Sequence, residues 1–420
     1  IKLGSAFANA SYVGSGFFDD FIKDLKAVTA GREIPALFKD TLAARQGNEY
    51  MVSMEFHDTK DVLAFFVPGL YIADSTTVNM NINNAGLLQG NLKSRRIAFM
   101  DKYIKNVSAE IDNAGKELSG EIISDEIRLS PIVIENNRLL IYAKDNNIGL
   151  GFSYDNESEL TNSGEIYMRG RLMRENGFPT LRAEVLPSNI YLNSNGWAIG
   201  HSDISLDNKG IKIDKLSINN NLQSILIDGG YSKTLTDTLN ITLDKFDIGL
   251  LNNFMKKDYG LKGRIGGYVV LSSPPGNGPG IQMNMKCDST YFAGERAGNL
   301  DLSCIADKTG KVFNIACKND IDGENTIDGS AVYISKKKTL EGHLSLNSFN
   351  IGYAEPFLKD IFNVMQGRLT AEIAFDGPVN KLNINSESVD ISDGKLGVDF
   401  TNVVYDVNGK AYIDSKGVYF

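Results

Sequence analysis

Two rhythms of apolar and polar residues divide the chain. Over residues 16–47 the spacing is helical. Phe17, Phe18, Phe21, Ile22, Leu25 and Val28 recur three or four residues apart and make one apolar stripe. Ala30-Gly31 breaks that stripe, and Pro35 stands where a first helical turn tolerates it, ahead of Leu37, Phe38 and Leu42. This predicts two short helices. From Met51 onward the period is two. Ile281, Met283, Met285 and Cys287 share one face, with Gln282, Asn284 and Lys286 on the other. Leu300, Leu302, Cys304 and Ala306 repeat the pattern, as do Leu340, Leu344 and Leu346. So do Leu369, Ala371, Ile373 and Phe375, and then Leu396, Val398 and Phe400. Such strands bury one face and wet the other. Asp307 to Gly310, Asp322-Gly323, Asp376 to Pro378, Asp393-Gly394 and Asn408-Gly409 read as turns between them, so antiparallel neighbours are expected.

A repeat orders the second half. FDIGLLNNFMKKDYGLKGRIGGYVVL begins at Phe246, and FNIGYAEPFLKDIFNVMQGRLTAEIAF begins at Phe349. Both run Phe-x-Ile-Gly, a short helix-like stretch, Gly-Arg, then an alternating strand. The offset is 103 residues at Phe246/Phe349 and 104 at Gly263/Gly367, which argues for duplication with little insertion. DKTGKVF from Asp307 answers DVNGKAY from Asp406, and a weaker copy starts near Phe56. The expected organisation is a strand and two helices over 1–48, a β-repeat region over 49–245, and repeat units over 246–348 and 349–420. A unit of this kind has two raw strand edges and one apolar face; stacking units pairs the edges and makes that face continuous.

Composition supports a folded β-protein and narrows its chemistry. With 41 glycines against 10 prolines, tight turns between strands are favoured over flexible linkers. A net charge of −9 opposes nucleic-acid binding, which wants a basic face. No run of about 18 apolar residues is present to span a bilayer as a helix. The chain starts without methionine and stops inside a strand-like run, so a fragment of a longer protein is expected.

Catalytic patterns are missing. Cys287, Cys304 and Cys317 form no Cys-x-x-Cys; each has an apolar neighbour two residues away, so they read as small hydrophobic residues of the buried face. A disulfide between two of them is the alternative. His57, His201 and His343 stand far apart and outside any HExxH, as surface residues do. Gly266-Gly267 and the 276–280 stretch lack the ending of a phosphate loop. Asp320, Asp322, Glu324 and Asp328 lack the spacing of a calcium loop and read as a solvated turn. Lys336-Lys337-Lys338 reads as a charged hairpin turn, with contact to anionic headgroups as the sharper alternative. No catalytic residue, metal site or cofactor is expected.

The succession of Phe-x-Ile-Gly, helix, Gly-Arg, strand, Gly-Pro and LNIN resembles the TamB family of Gram-negative envelope proteins. GRLTAEIAFDGPVNKLNINSESVDISDGKLGVDFTNVVYDVNGKAYI, from Gly367, looks like its signature unit. The copy at Gly263 departs from it with an inserted Pro-Pro-Gly-Asn-Gly-Pro turn. The specific resemblance covers residues 240–420; residues 50–240 match in style, and the segment before 48 carries no family motif.

That resemblance implies a mainly β fold. It would be an elongated, repetitive antiparallel sheet rolled into a U-shaped groove, the β-taco, with a few short helices. It also implies relatedness to AsmA-like and bridge-like lipid-transfer proteins, and a periplasmic location as part of an inner-membrane-anchored protein. The implied function is phospholipid conduction between inner and outer membranes. The alternative is a scaffold for outer-membrane protein assembly or secretion with a BamA-type partner, working through exposed strand edges. Implied partners are phospholipid acyl chains, a BamA-type protein through the parent's C-terminal region, and the inner membrane through its N-terminal anchor. An enzyme on a β-solenoid, such as a polysaccharide lyase, needs a ladder of Asp, Arg or Lys that the sequence lacks. On the leading reading, the groove lining is Ile281, Met283, Met285, Leu300, Leu302, Leu369, Ala371, Ile373, Phe375, Leu396, Val398 and Phe400. The Phe17 to Val28 stripe reads as core packing, with a plug or lid at the groove mouth as the alternative, and the stretches 250–255 and 354–362 could likewise cap or line the trough.

Overall fold

In the computed structural model the described residues are 2–3, 6–13, 49–82, 87–113, 117–129, 132–157, 159–175, 178–232, 237–254, 259–272, 280–358, 361–414 and 417–419. The helices predicted over 16–47 lie outside them. What is described is almost entirely antiparallel strand, as the period-two pattern requires. It forms two units, residues 1–220 with 253–256, and residues 221–252 with 257–420.

The second unit is a simple meander. Strands Ser224–Ser232, Thr238–Asp247, Lys262–Ser272, Gly280–Phe292, Glu295–Ala306 and Val312–Ile321 each pair antiparallel with the next. Glu324–Ile334, Thr339–Asn350, Phe362–Pro378, Asn383–Val398, Val403–Asp414 and Gly417–Tyr419 continue in the same order. Short helical turns interrupt this twice, at the repeat motif. Asp247 Oδ1 accepts the Gly249 amide at 2.8 Å and opens the 3-10 turn Ile248–Phe254. Asn350 Oδ1 accepts the Gly352 amide at 2.9 Å and opens Ile351–Ala354, which runs into the α-helical turn Glu355–Leu358. The Asx side chain inside Phe-x-Ile-Gly thus satisfies a first-turn donor in both copies.

Bulges align across this unit. Residues with positive φ fall at Lys245, Gly263, Ser289, Ser348, Gly367 and Asp393, each beside a register shift between paired strands. A bulge bends its strand and sharpens the local twist. Bulges on successive strands crease the sheet along one line. The Gly-Arg of the repeat supplies two of them. Gly367 has φ +124, and a Cβ there would come within 2.7 Å of Gly394 Cα, so neither conformation nor space admits a side chain.

Three of the five predicted turns are corrected by this geometry. Asp307 to Gly310 and Asp322-Gly323 are hairpin turns. Asp376 to Pro378 instead ends strand Phe362–Pro378, Asp393-Gly394 sits at the bulge within Asn383–Val398, and Asn408-Gly409 lies inside Val403–Asp414. Asx-Gly supplies positive φ, which primed hairpin turns and bulges both require. The DKTGKVF/DVNGKAY likeness accordingly spans a turn in one copy and mid-strand in the other.

The first unit is a less regular meander. Strands from Ala6–Val13 through Asn162–Glu175 pair in chain order, except that Leu70–Ile72 and Thr76–Ile82 share Leu88–Phe99, with helix Lys60–Phe66 just before them. Asn162–Glu175 is then flanked by two shorter strands, Phe178–Val185 and Ser188–Leu192, and Gly210–Asn219 rejoins the divided layer. Trp197, 1% exposed, stands opposite Ile190 in this region.

Candidate functional site

Register decides which side chains share a face, because residues directly opposite each other in an antiparallel pair project to the same side. In the second unit this collects apolar residues into rows running across the strands. An outer row joins Val269, Met283, Cys304, Ile315, Ala331 and Phe375. A middle row joins Met285, Leu302, Cys317, Leu344 and Ile373. An inner row, beside the crease, joins Ile265, Cys287, Leu300, Ile327, Leu346, Ala371, Val389 and Ala411. The opposite face is polar and self-paired, with Lys286–Asp301 at 3.5 Å and Lys318–Asp328 at 3.1 Å.

Burial rises from the outer row to the crease. Outer-row side chains are half-buried, and Ile315 is 36% exposed. In the middle row only Met285 among the named side chains is buried. In the inner row Cys287, Leu346, Ala371, Val389 and Ala411 are all buried. Ala371, Val389 and Ala411 form a cluster against which Leu369, Ile373, Ile391 and Ile413 pack. Among the described residues, no second layer seals the outer and middle rows.

The structure distributes the twelve sequence candidates unevenly. Met283 and Phe375 share the outer row; Met285, Leu302 and Ile373 share the middle row; Leu300 and Ala371 share the inner row. Ile281 lies one row further out, opposite Leu271. Leu369 stands on the crease, opposite Phe349 and Ile391. Leu396 and Val398 sit beyond the Asp393 bulge, opposite Met365 and Phe362. Phe400 is in the turn after Asn383–Val398 and is 98% exposed. The Asp399 amide donates to Ile361 O at 3.0 Å and Asn402 has φ +49, so the chain has already left the strand. Sequence reading missed the apolar partners Val269, Val389 and Ala411; their alternation was there, but only register aligns them.

The first unit carries matching rows on one face. Val78, Leu92, Ala109, Ile122, Leu139, Phe152 and Ile166 make one. Met80, Gly90, Ile111, Gly120, Ile141, Leu150 and Met168 make the next. A hollow of about 600 Å³ borders this row but takes most of its lining from the opposite face, including Glu110, Glu121, Arg138, Leu140, Tyr142 and Tyr167. Next to these rows the strands carry a mostly polar buried strip, a crease marked by the positive φ of Asn106 and Asn136: Thr76, Ser94, Ser124, Asn137, Asn156 and Asn162 are buried, with Val107 among them. Thr76 and Ser94 hydroxyls meet at 2.6 Å, Asn137 Nδ2 donates to Ile134 O at 2.8 Å, and Asn156 Nδ2 donates to Val133 O at 3.1 Å. Tyr154, stacked near Phe152, has its phenol pushed up to about 12 by burial.

The titratable groups of this face do not form a reactive set. All three cysteines are free thiols. Burial pushes the Cys287 thiol up to about 11, with the Asp288 charge adding to it, and raises those of Cys304 and Cys317. Thiols shifted this way are poor nucleophiles at neutral pH. Asp322 is held by Arg296 through two contacts of 2.7 Å, and Asp328 by Lys318, so the carboxylates of 320–328 are not gathered round one point. His201 and His343 are exposed, and His57 lies 2.9 Å from Glu55.

Comparison with known proteins gives one match. Residues 201–386 match the family model described as TamB, N-terminal domain. The match starts in the last strands of the first unit and runs through the creased strands of the second as far as Ser386. No curated protein and no solved structure matches.

Proposed function

Because the chain is TamB-like over residues 201–386, we propose that it is part of an envelope protein whose creased apolar face carries phospholipid acyl chains between membranes. The observation that supports this reading is the gradient of burial across parallel apolar rows. A closed core buries its middle as deeply as its base. Here five of the eight base residues are buried, with Ile265, Leu300 and Ile327 half-open, against Met285 alone in the middle row and none in the outer row. Removing acyl chain from water is worth roughly 0.8 kcal/mol per CH₂. Rows that repeat from strand to strand offer many near-equal positions, so a chain can move across the strands without one deep trap. The polar, ion-paired opposite face keeps the sheet wetted. We assign no catalytic role, and the raised cysteine thiols agree with that.

Native mass spectrometry of the purified chain tests the reading: co-purified phospholipid is expected. Ile373→Asp in the middle row should weaken that capture without abolishing it, other positions along the rows remaining, while lowering the unfolding free energy by less than about 2 kcal/mol. Unfolding of the variant would mean that the row is a sealed core, and the reading would fall.

A further inference from the structure

The second unit's two rims differ in charge. Three hairpins end side by side on one rim: 307–311, 335–338 and 379–382, between strands already described. They are tied together, since the Ser335 amide donates to Lys311 O at 2.9 Å and the Val379 amide to Lys338 O at 3.0 Å. This short stretch carries Lys308, Lys311, Lys336, Lys337, Lys338 and Lys381, all exposed and none in an ion pair among the described residues. The nearby carboxylates are Asp307, Glu341 and Asp376. Asp307 is occupied within its own turn by Thr309 and by the Lys311 and Val312 amides, which hold its carboxyl below the usual range. At the other rim, the described turns 293–294, 322–323, 351–358 and 399–402 contain Asp322, Glu355 and Asp399, with no lysine or arginine. In a chain of net charge −9, six unpaired lysines on one rim are a local reversal of sign.

The rim also stands at a useful distance from the crease. From the row of Phe313, Tyr333 and Leu340, next to the lysine turns, to the inner row at Leu346 is six residues. At about 3.3 Å per residue that is roughly 20 Å of apolar surface along the strands. One leaflet's acyl layer, half of a hydrocarbon core about 30 Å thick, is about 15 Å.

We propose that the lysine rim is a headgroup lip: it holds the phosphate of a glycerophospholipid whose acyl chains lie along the strands towards the crease. This rests on the acyl-chain reading above and adds the lipid's orientation and the chemical class it favours. Ammonium groups on flexible stems suit a lip better than a fixed phosphate pocket, because they can pass a phosphate from one hairpin to the next.

The test is K336Q/K337Q/K338Q in the whole chain, with the melting temperature checked against the parent. One readout is flotation with phosphatidylglycerol vesicles at low salt, and the other is extraction of a fluorescent diacylglycerol, which has the same chains without phosphate. Each lysine near an anionic surface contributes about 1 kcal/mol, or about fivefold, so vesicle affinity should fall on the order of 100-fold. Diacylglycerol extraction should be unchanged. A variant that floats as the parent does overturns the lip and leaves the groove standing. A parent that floats but extracts no diacylglycerol keeps the rim as a membrane contact and removes the groove. A parent that ignores the vesicles overturns the lip whatever it extracts. Loss of flotation to inorganic phosphate, at ionic strength matched with chloride, would make the ligand free phosphate and overturn the lip as well.

Discussion

The creases of the two units turn the same kind of strand by different means. In residues 1–220, Asn106 and Asn136 adopt positive φ (+46° and +49°) while pairing stays in one register on either side of them. Their inner faces are filled mainly by Ser, Thr and Asn, with Val107 the apolar exception. In residues 221–420, extra residues are inserted as bulges, and the inner face is filled by Cys287, Leu346, Ala371, Val389 and Ala411. The difference shows that a crease needs a backbone device and small, well-placed side chains, but not one polarity. A polar crease holds its shape by hydrogen bonds to neighbouring carbonyls, and an apolar one by packing.

Substitutions can break that comparison, and the greatest effect is expected in the apolar crease. Val389→Asp places a charge at a position 3% exposed and should cost about 4 kcal/mol, read as collapse of the second unit's unfolding transition. An equal loss from Ile373→Asp would erase the distinction between crease and rows. Asn319 is the polar exception in this unit: its Nδ2 donates to Ala297 O at 2.6 Å and to Asn299 O at 3.0 Å. Asn319→Ala should cost about 1 kcal/mol in denaturant titration, since two part-buried carbonyls lose their donor.

In the polar crease, Ser124 Oγ and Asn137 Oδ1 face each other from opposed positions, and neither has a partner among the described residues. Ser124→Ala should therefore be neutral within about 0.5 kcal/mol; a loss of 2 kcal/mol would show that the hydroxyl holds the bend.

The smallest effect is chemical. Cys287 should be the slowest of the three thiols towards iodoacetamide, its rate still climbing at pH 10 because its thiol titrates near 11. Its folded value lies above the unfolded one of about 8.5, so its contribution to stability is full below 8.5 and is lost as pH rises towards 11. A plateau in the alkylation rate near pH 9 would contradict the burial of the inner row.

Much of the fold was legible because period-two alternation needs no distant information. Leu369, Ala371, Ile373 and Phe375 alternate in sequence and do so in the sheet. The repeat was legible too, and its Gly-Arg marks a bulge, which the sequence reading had treated only as the start of a strand. Two kinds of feature were not legible. Asp393-Gly394 and a hairpin turn look alike in sequence, since both exploit residues that tolerate positive φ. Bulges at Lys245, Ser289 and Ser348 carry no glycine at all, and only the neighbouring strand's register forces them. Phe400 continued an apolar alternation that ended two residues earlier, where Asp399 bonded to Ile361. The rows of the candidate site depend on pairing between strands, which lies outside any single strand's pattern.

One property of residues 221–420 bears on how such proteins change length. Among the described residues no strand there crosses another, and each pairs with the next in chain order. A duplicated stretch of about 100 residues, the offset between the Phe246 and Phe349 copies, can therefore be spliced in at a hairpin without rethreading the rest. Such a sheet grows by simple addition, so evolution can lengthen it without reinventing the architecture.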